Sequence, residues 1–451
     1  MNVNATLAPR TRPPGPRGLP LVGSVFDLAR DPIGSLVEWH RAFGDRVEIR
    51  LGPYRFWLLN DPEDVRHVLE DNHANYPKSP NYRELELLLG KGLLTSEGAF
   101  WLRQRKLVQP AFHPRQDELS FASMLPAIEA VLAGWESGGE ATFDVAPDMM
   151  RLALGAVSRA LFGRDLGGEA SGLAAALAVL TRDVEDRWVS IIRWPRALPT
   201  PGNLRARRAA AVVDALVNGL IAERRSRGDP GDDLLGALLR ARDEGTSEGM
   251  TDRQVRDEVV TLLLAGHETT AVTLTWTLWL LALHPEVARP LEAEVASLPE
   301  RVSIEDVRRL KWPALVVQES LRLYPPAWWI EREATAEDEL HGYRVEPGTI
   351  MILAPYTLHR HPRYWERPHE FDPERFLPER SEGRPRFAYY PFGAGPRICV
   401  GSRFALLEAQ LALALIFRRW RFEVDVDHKV EPVSLVTLKP KNGVRLVRRR
   451  R

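Results

Sequence analysis

The chain has 451 residues with 61 basic and 61 acidic side chains, so its formal charge is zero. That balance excludes proteins that grip nucleic acid through a net basic field, and 44% hydrophobic with 27% charged residues excludes general disorder. A single cysteine rules out an internal disulfide and fits a reducing cytoplasm. Only seven of the 61 basic residues are lysines.

Residues 1–10 hold no continuous apolar run and residues 10–23 are rich in proline and glycine, so neither a signal peptide nor an N-terminal anchor is expected. Residues 46–52 and 55–60 alternate as a hairpin turning at Gly52-Pro53-Tyr54, and Asp61 followed by Pro62 opens a helix through Asn72. Helices are predicted over 100–112, 116–136, 147–162, 168–188 and 204–227. Thr251, with Gln254 three residues on, caps a helix that continues to His284 before Pro285. Its apolar stretch 259–283 is long enough to span a bilayer, yet His267 and Glu268 in the middle make that costly, and the helix is expected in the protein interior.

A further helix is predicted over 304–323, short strands over 343–345 and 350–353, an irregular segment over 355–396, a helix over 401–419, and short strands over 420–447. The basic run 448–451 reads as a solvated tail. No repeat and no flexible linker interrupts the pattern. The expectation is one mainly α domain with small β-sheets over 1–451, preceded within it by the Pro-rich segment 1–23.

The only cysteine lies in Phe392-Gly-Ala-Gly-Pro-Arg-Ile-Cys399-Val-Gly401, among glycines and directly before a helix. Glycines let backbone approach a flat partner, and a helix N-terminus favours the thiolate, which can be a nucleophile or a metal ligand. A buried small hydrophobe is the alternative for an isolated cysteine. The positions Phe392, Gly395, Arg397, Cys399 and Gly401 resemble the signature Phe-x-x-Gly-x-Arg-x-Cys-x-Gly of cytochrome P450, the haem-thiolate monooxygenases. The resemblance implies that Cys399 is the axial iron ligand of haem b (iron protoporphyrin IX) and that Arg397 pairs with a propionate.

Further motifs extend the resemblance over nearly the whole chain. Ala265-Gly266-His267-Glu268-Thr269-Thr270 is similar to the family's oxygen-activating motif. Gly266 is expected to leave a gap for a small molecule. Thr269 can bond back to the Ala265 carbonyl or donate to bound oxygen, and Glu268 can pass protons from solvent. Glu319 and Arg322 share a helix face, and with Arg375 in Phe371-Asp-Pro-Glu-Arg375-Phe376 they resemble the family's buried structural network. Trp101, Arg105 and Arg332 match its further propionate partners, which suits guanidinium groups that bind carboxylates bidentately. His113, His359 and His361 have no metal-like spacing.

The implied activity is insertion of one oxygen atom from O2 into a hydrophobic substrate. Electrons would come from a separate ferredoxin or flavodoxin with its NAD(P)H reductase. Arg103, Lys106, Arg403 and Arg418 are candidates for the docking face. A peroxide-driven peroxygenase or a haem-based binding or sensing protein would share the cysteine loop, but neither needs the Glu268-Thr269 pair. By resemblance the pocket is lined by Leu88, Leu89, Leu93, Leu94, Leu263, Ala265, Ala327, Trp328, Trp329 and Val436, which suits a fatty acid, terpenoid or carotenoid. Residues 327–332 and 404–408 are similar to bacterial carotenoid hydroxylases, and residues 437–440 to bacterial fatty-acid hydroxylases. Tyr54 and Arg55 could hold a carboxylate, although a solvated hairpin explains them as well. A cytoplasmic monomer without a membrane span is expected.

Overall fold

The computed structural model describes residues 12–189 and 195–451, so the first part of the Pro-rich segment, 1–11, lies outside the described residues. After a short α1 (Val25–Arg30), Asp31 accepts the Gly34 N–H and Pro32 occupies the first helical position of α2 (Pro32–Phe43). The expected hairpin is present as β1 (Arg46–Leu51) and β2 (Tyr54–Leu59), antiparallel with Arg46 opposite Leu59. Asp61 caps α3 (Pro62–Arg66), but the backbone then widens into a π-helical turn over His67–Asp71.

The helical run follows the apolar periodicity. It comprises α4 (Glu86–Leu89), α5 (Gly98–Val108), α6 (Asp117–Gly138), α7 (Ala146–Phe162), α8 (Gly168–Val189) and α9 (Pro201–Arg227), with β3 (Ala141–Asp144) between α6 and α7. Asp233 caps a short α10 (Leu234–Arg240), and a Thr251–Gln254 capping box starts α11 (Asp252–Leu283). Next come α12 (Pro285–Val295), α13 (Ile304–Arg309) and α14 (Trp312–Leu323). The single helix expected over 304–323 is therefore two. Leu310 is extended, and Pro313 in the first turn of α14 has no N–H to continue the preceding helix.

The remaining elements are β4 (Ile330–Glu333), β5 (Asp338–Leu340), β6 (Tyr343–Val345), β7 (Ile350–Leu353), α15 (Pro355–Leu358), α16 (Pro378–Ser381), α17 (Ser402–Arg419), β8 (Trp420–Val424), β9 (Pro432–Ser434), β10 (Leu438–Pro440) and β11 (Arg445–Arg450). Among the described residues no helix is long and apolar enough to cross a membrane.

The chain forms two compact units. The first contains residues up to Asn81, Arg322–Glu370 and Ser381–Cys399. It holds a sheet ordered β1-β2-β7-β4, in which β2 and β7 run parallel, and the separate pair β5-β6. All four side chains of the inner strand β7 are buried, as expected for a strand covered on both faces.

The second unit contains Tyr82–Leu321, Phe371–Arg380 and Val400–Arg451. Most of α11 is buried within it. Gly155 lets α7 approach α6, where a Cβ would lie 3.1 Å from Ala127 Cβ.

The run 448–451 is a solvated tail only in part: it continues a strand, and Arg448 is buried. Strand β11 is the central strand of a sheet ordered β3-β11-β8. Arg448 is only 4% exposed, donates through Nε to the Gly139 carbonyl at 3.0 Å, and lies over the rings of Trp135, Phe143 and Trp420. Arg448 follows buried Leu446 on the same face of the strand, whereas Arg449, Arg450 and Arg451 are exposed. Arg448→Ala is expected to lower unfolding stability by about 2 kcal/mol through lost cation–π and hydrogen-bond contacts, whereas Arg449→Ala, at an exposed ion pair, changes it by less than about 0.5 kcal/mol. Urea denaturation of the two variants measures the difference.

Candidate functional site

The cysteine loop belongs to the first unit. Gly395 has φ +63° and packs so closely on the π-turn that a Cβ there would sit 1.8 Å from the Leu69 carbonyl oxygen. Any side chain at this position would dislodge the loop. A 3-10 turn over Gly395–Arg397 follows, and the Cys399 N–H donates to the Phe392 carbonyl at 2.9 Å, closing the loop. The Cys399 side chain is exposed and forms no disulfide. Three residues later α17 begins, with Gly401 as its N-cap and no acidic residue in its first turn. On β4, Arg332 is buried and donates to the Glu331 carbonyl at 2.7 Å.

In the second unit the centre of α11 departs from the rest of that helix. Ala265 is exposed and Leu264, Gly266 and Thr269 are half-buried, while the residues on either side are buried. Ala265 and Thr269 are one turn apart, so they form a narrow open stripe on one face. The Thr269 hydroxyl donates to the Ala265 carbonyl at 2.6 Å. Thr273, Thr275 and Thr277 make the same backward bond at 2.9, 2.7 and 2.7 Å, so this habit by itself does not mark Thr269 out. Its place on the open stripe does.

A Cβ on Gly266 would meet Val157 Cγ2 at 3.0 Å, so the missing side chain allows close approach of α7. Glu268 is buried, and its Oε1 accepts from Thr437 Oγ1 at 2.7 Å, so its carboxylate is directed to the C-terminal hairpin. This partner is 169 residues away and carries no signal in local sequence. His267 is buried with no hydrogen-bond partner at Nδ1, and burial pushes its imidazole pKa down to about 4.

On α5, Trp101 is 9% exposed and Arg105 is half-buried one turn on. Between them the Gln104 amide is fully buried with neither polar atom hydrogen-bonded, a feature that sequence pattern does not reveal. The structural network is present in two parts. Within the second unit Glu319 Oε1 lies 3.3 Å from Arg375 Nε and accepts the Asp372 N–H at 3.0 Å. Within the first, the fully buried Arg322 donates to the carbonyls of His359, Pro368 and Glu370 at 2.8, 2.7 and 3.0 Å.

The pocket candidates divide by burial. Leu88, Leu89 and Leu263 are core residues of the second unit, against which Leu93 and Val436 are partly buried. Leu94 is 37% exposed. In the first unit Trp328 is buried and Ala327 exposed. Arg55 pairs with Glu346 and Glu48, so its charge is engaged within the protein.

The proposed docking arginines are also engaged. Arg103 donates to the Gly249 carbonyl at 3.1 Å and is 3.8 Å from Asp243, while Arg403 and Arg308 share Asp117 at 2.5 and 2.6 Å. His359 accepts the Tyr390 N–H through Nε2 at 2.9 Å. His361 meets Asp45 at 2.9 Å, with His40 Nδ1 3.8 Å from the same oxygen. The Arg363 N–H donates to His361 Nδ1 at 3.1 Å, which places the His361 proton on Nε2, facing Asp45. The His361 Nε2–H therefore donates to the Asp45 carboxylate, and His40, Asp45 and His361 each bring one potential ligand atom within 4.8 Å of the others.

Residues 13–446 match the family model for Cytochrome P450. The chain is 37% identical over 428 residues to Cyclooctatin synthase of Streptomyces melanosporofaciens, covering 94% of this chain and 92% of that one. It is 38% identical over 416 residues to Cyclooctat-9-en-7-ol 5-monooxygenase of the same organism, covering 92% and 90%. Pentalenene oxygenase of Streptomyces avermitilis is 34% identical, with 96% of each chain covered. Among solved structures, the haem domain of cytochrome P450DA is similar with a TM-score of 0.89 and 30% identity, over 98% of this chain and 99% of that one. The residues present fit a haem: a lone thiol on a tightly packed glycine loop, arginines suited to propionates, and an open stripe on a buried helix.

His267 gives a pH test of the α11 packing. Its folded pKa of about 4 lies below the ordinary 6.5, so as pH falls through that window the unfolded chain gains a proton that the folded protein refuses. Wild-type stability should then fall by about 3 kcal/mol more than that of His267→Gln over the same window, measured by denaturant titration at each pH.

Proposed function

The chain belongs to the cytochrome P450 family and is a monooxygenase, and on that premise we propose that it hydroxylates a cyclic terpenoid, with haem b as the cofactor. The observation that carries the reading is the open stripe of Ala265 and Thr269 on the otherwise buried α11. When bound, the haem supplies O2 activation and transfer of one oxygen atom to a C–H bond. Cys399 would hold it as thiolate ligand, Phe392, Gly395 and Gly401 would shape the loop, and Arg397, Arg332, Arg105 and Trp101 would take the propionates.

The Thr269 hydroxyl, which donates to the Ala265 carbonyl on the open stripe, would serve as a hydrogen-bond donor in the oxygen-activating site, and Glu268 would supply protons. That pair favours an oxygen-dependent reaction over a peroxide-driven one, and over simple haem binding. Glu319, Arg322 and Arg375 keep the surrounding coil in place.

Two findings favour a terpenoid over a fatty acid. The relatives named for cyclooctatin, cyclooctat-9-en-7-ol and pentalenene lie in this class, and the carboxylate anchor considered at Arg55 is already neutralised by Glu346 and Glu48. Within the second unit, Leu94 and Ala265 offer exposed apolar surface to such a substrate. Electrons come from a reduced ferredoxin or flavodoxin served by an NAD(P)H reductase, in a cytoplasmic setting. Lys106 and Arg403 are better docking candidates than Arg103, which is half-buried and tied to the 243–249 loop.

Purified protein should give a thiolate-type Soret shift in its reduced carbon monoxide complex, and Cys399→His should abolish both that shift and turnover. Adding a cyclic terpene alcohol should move the haem spin state at lower concentration than palmitate or β-carotene; a response to palmitate alone would refute the substrate class. Thr269→Ala should lower product per NAD(P)H oxidised by about tenfold and release peroxide, because a donor at the reacting oxygen is lost.

A further inference from the structure

Within the first unit, one carboxylate oxygen holds both ends of the π-turn on which the cysteine loop rests. Asp338 Oδ2 accepts from His67 Nε2 at 2.7 Å, Asn72 Nδ2 at 2.9 Å and the Tyr76 hydroxyl at 2.7 Å. His67 and Asn72 are also the residues whose backbones close the wide turn, since the Asn72 N–H donates to the His67 carbonyl at 2.8 Å. The side chains and the backbones of the same pair are therefore both engaged, the first by Asp338 and the second by each other.

Asp338 opens β5, which the tight turn at His341-Gly342, both at positive φ, folds back onto β6. Its Oδ1 accepts the Glu339 N–H at 2.8 Å, so the carboxylate is oriented from its own strand. Burial opposes ionisation of this group, but the bonds from His67, Tyr76, the Glu339 N–H and Asn72 outweigh it and hold its pKa below the ordinary value. Asp338 thus stays ionised and acts only as an acceptor, which suits an oxygen that meets three donors.

Turns of π-helical spacing are rare and occur mostly as single turns, frequently at functional sites. Here the turn sets the Leu69 carbonyl against Gly395, in the loop that leads to Cys399. Val68, Leu69 and Tyr76 share one hydrophobic cluster with Phe387, Tyr390 and Ala394 of the segment entering that loop, and Glu70 pairs with Arg386 at 3.3 Å. Reclosing the turn at α-helical spacing shifts its register by one residue, about 100° around the axis, and takes the Leu69 carbonyl away from Gly395.

We propose that Asp338 is a positioning residue for Cys399: by holding the turn in its wide form it fixes the surface under Gly395, and through that contact the place of the thiolate. It acts through Leu69 and Gly395 and takes no part in the chemistry. The inference rests on Cys399 as the haem ligand.

The test compares N72A, Y76F and D338A with wild type as haem-loaded full chains. N72A and Y76F each remove one donor from the same oxygen, but only Asn72 belongs to the closing pair of the turn. N72A and D338A should speed amide exchange by about tenfold at residues 67–72 and 393–399 alike, read by mass spectrometry where every variant is folded. In their reduced carbon monoxide complexes the thiolate-type Soret shift should give way to the neutral-thiol form about tenfold faster than in wild type, because a loosened loop exposes the thiolate to protonation. Y76F should match wild type in both readings, whatever its thermal midpoint.

Faster exchange of N72A at 67–72 beside wild-type exchange at 393–399 overturns the link from turn to loop. A loop that Y76F loosens as much as N72A does makes Asp338 a matter of general packing and overturns the proposal as well. An intact wild-type Soret shift beside an unchanged N72A overturns the clamp alone, whereas a wild type without the thiolate-type shift overturns the reading of Cys399 and the positioning role with it.

Discussion

A buried guanidinium makes the long irregular stretch after β7 tenable. Coil backbone that leaves water must find partners for carbonyls that no helix or sheet engages, and each one left unmade costs roughly 1–3 kcal/mol. Arg322 takes three such carbonyls at once from within the first unit, with the Trp365 ring 5.1 Å below its guanidinium. In the second unit Glu319 serves the complementary need, accepting a coil N–H and the charge of Arg375. Both residues lie at the end of α14, a helix with regular geometry, so irregular segments take their positions from a regular one. The glycine loop that presents Cys399 belongs to the same unit as Arg322, where the Gly395 contact with Leu69 leaves no room for slippage.

Local chemistry was legible wherever partners lie close in sequence. The β1-β2 hairpin, the Asp61 and Thr251 caps and the long apolar α11 follow from residues within a few positions of one another. The break between α13 and α14 was readable in principle from Pro313, but the apolar periodicity on both sides masks it. Long-range choices were not legible. Whether 448–451 faces water or a sheet interior depends on β3 and β8, some 300 and 25 residues away, and arginine composition alone points the wrong way. Gly266 illustrates a subtler limit: glycine in a helix signals that something comes close, and only the position of Val157 shows that it is another helix.

The site shows the same division. Cys399 and its glycines are recognisable from ten consecutive residues because backbone conformation and ligand lie in one loop. Thr269 is recognisable as part of a motif, yet four threonines of α11 make the same backward hydrogen bond, and the open stripe is what distinguishes it. Its neighbour Glu268 depends wholly on tertiary partners, Thr437 and Lys439, that local pattern cannot supply.

A buried acid on α11 needs a reason to remain there, since its desolvation would otherwise favour an apolar residue. A single hydroxyl donor from Thr437 offsets part of that cost, and an ammonium offsets more only if its charge is not already spent. Lys439 is shared between Glu185 and Glu268, and sharing leaves the pair of carboxylates one charge short of balance. That imbalance distinguishes this cluster from Glu319 with Arg375, where one carboxylate faces one cation in a fixed ion pair. Fixed pairing serves the coil, while the cluster on α11 shares one partly exposed ammonium between two buried carboxylates.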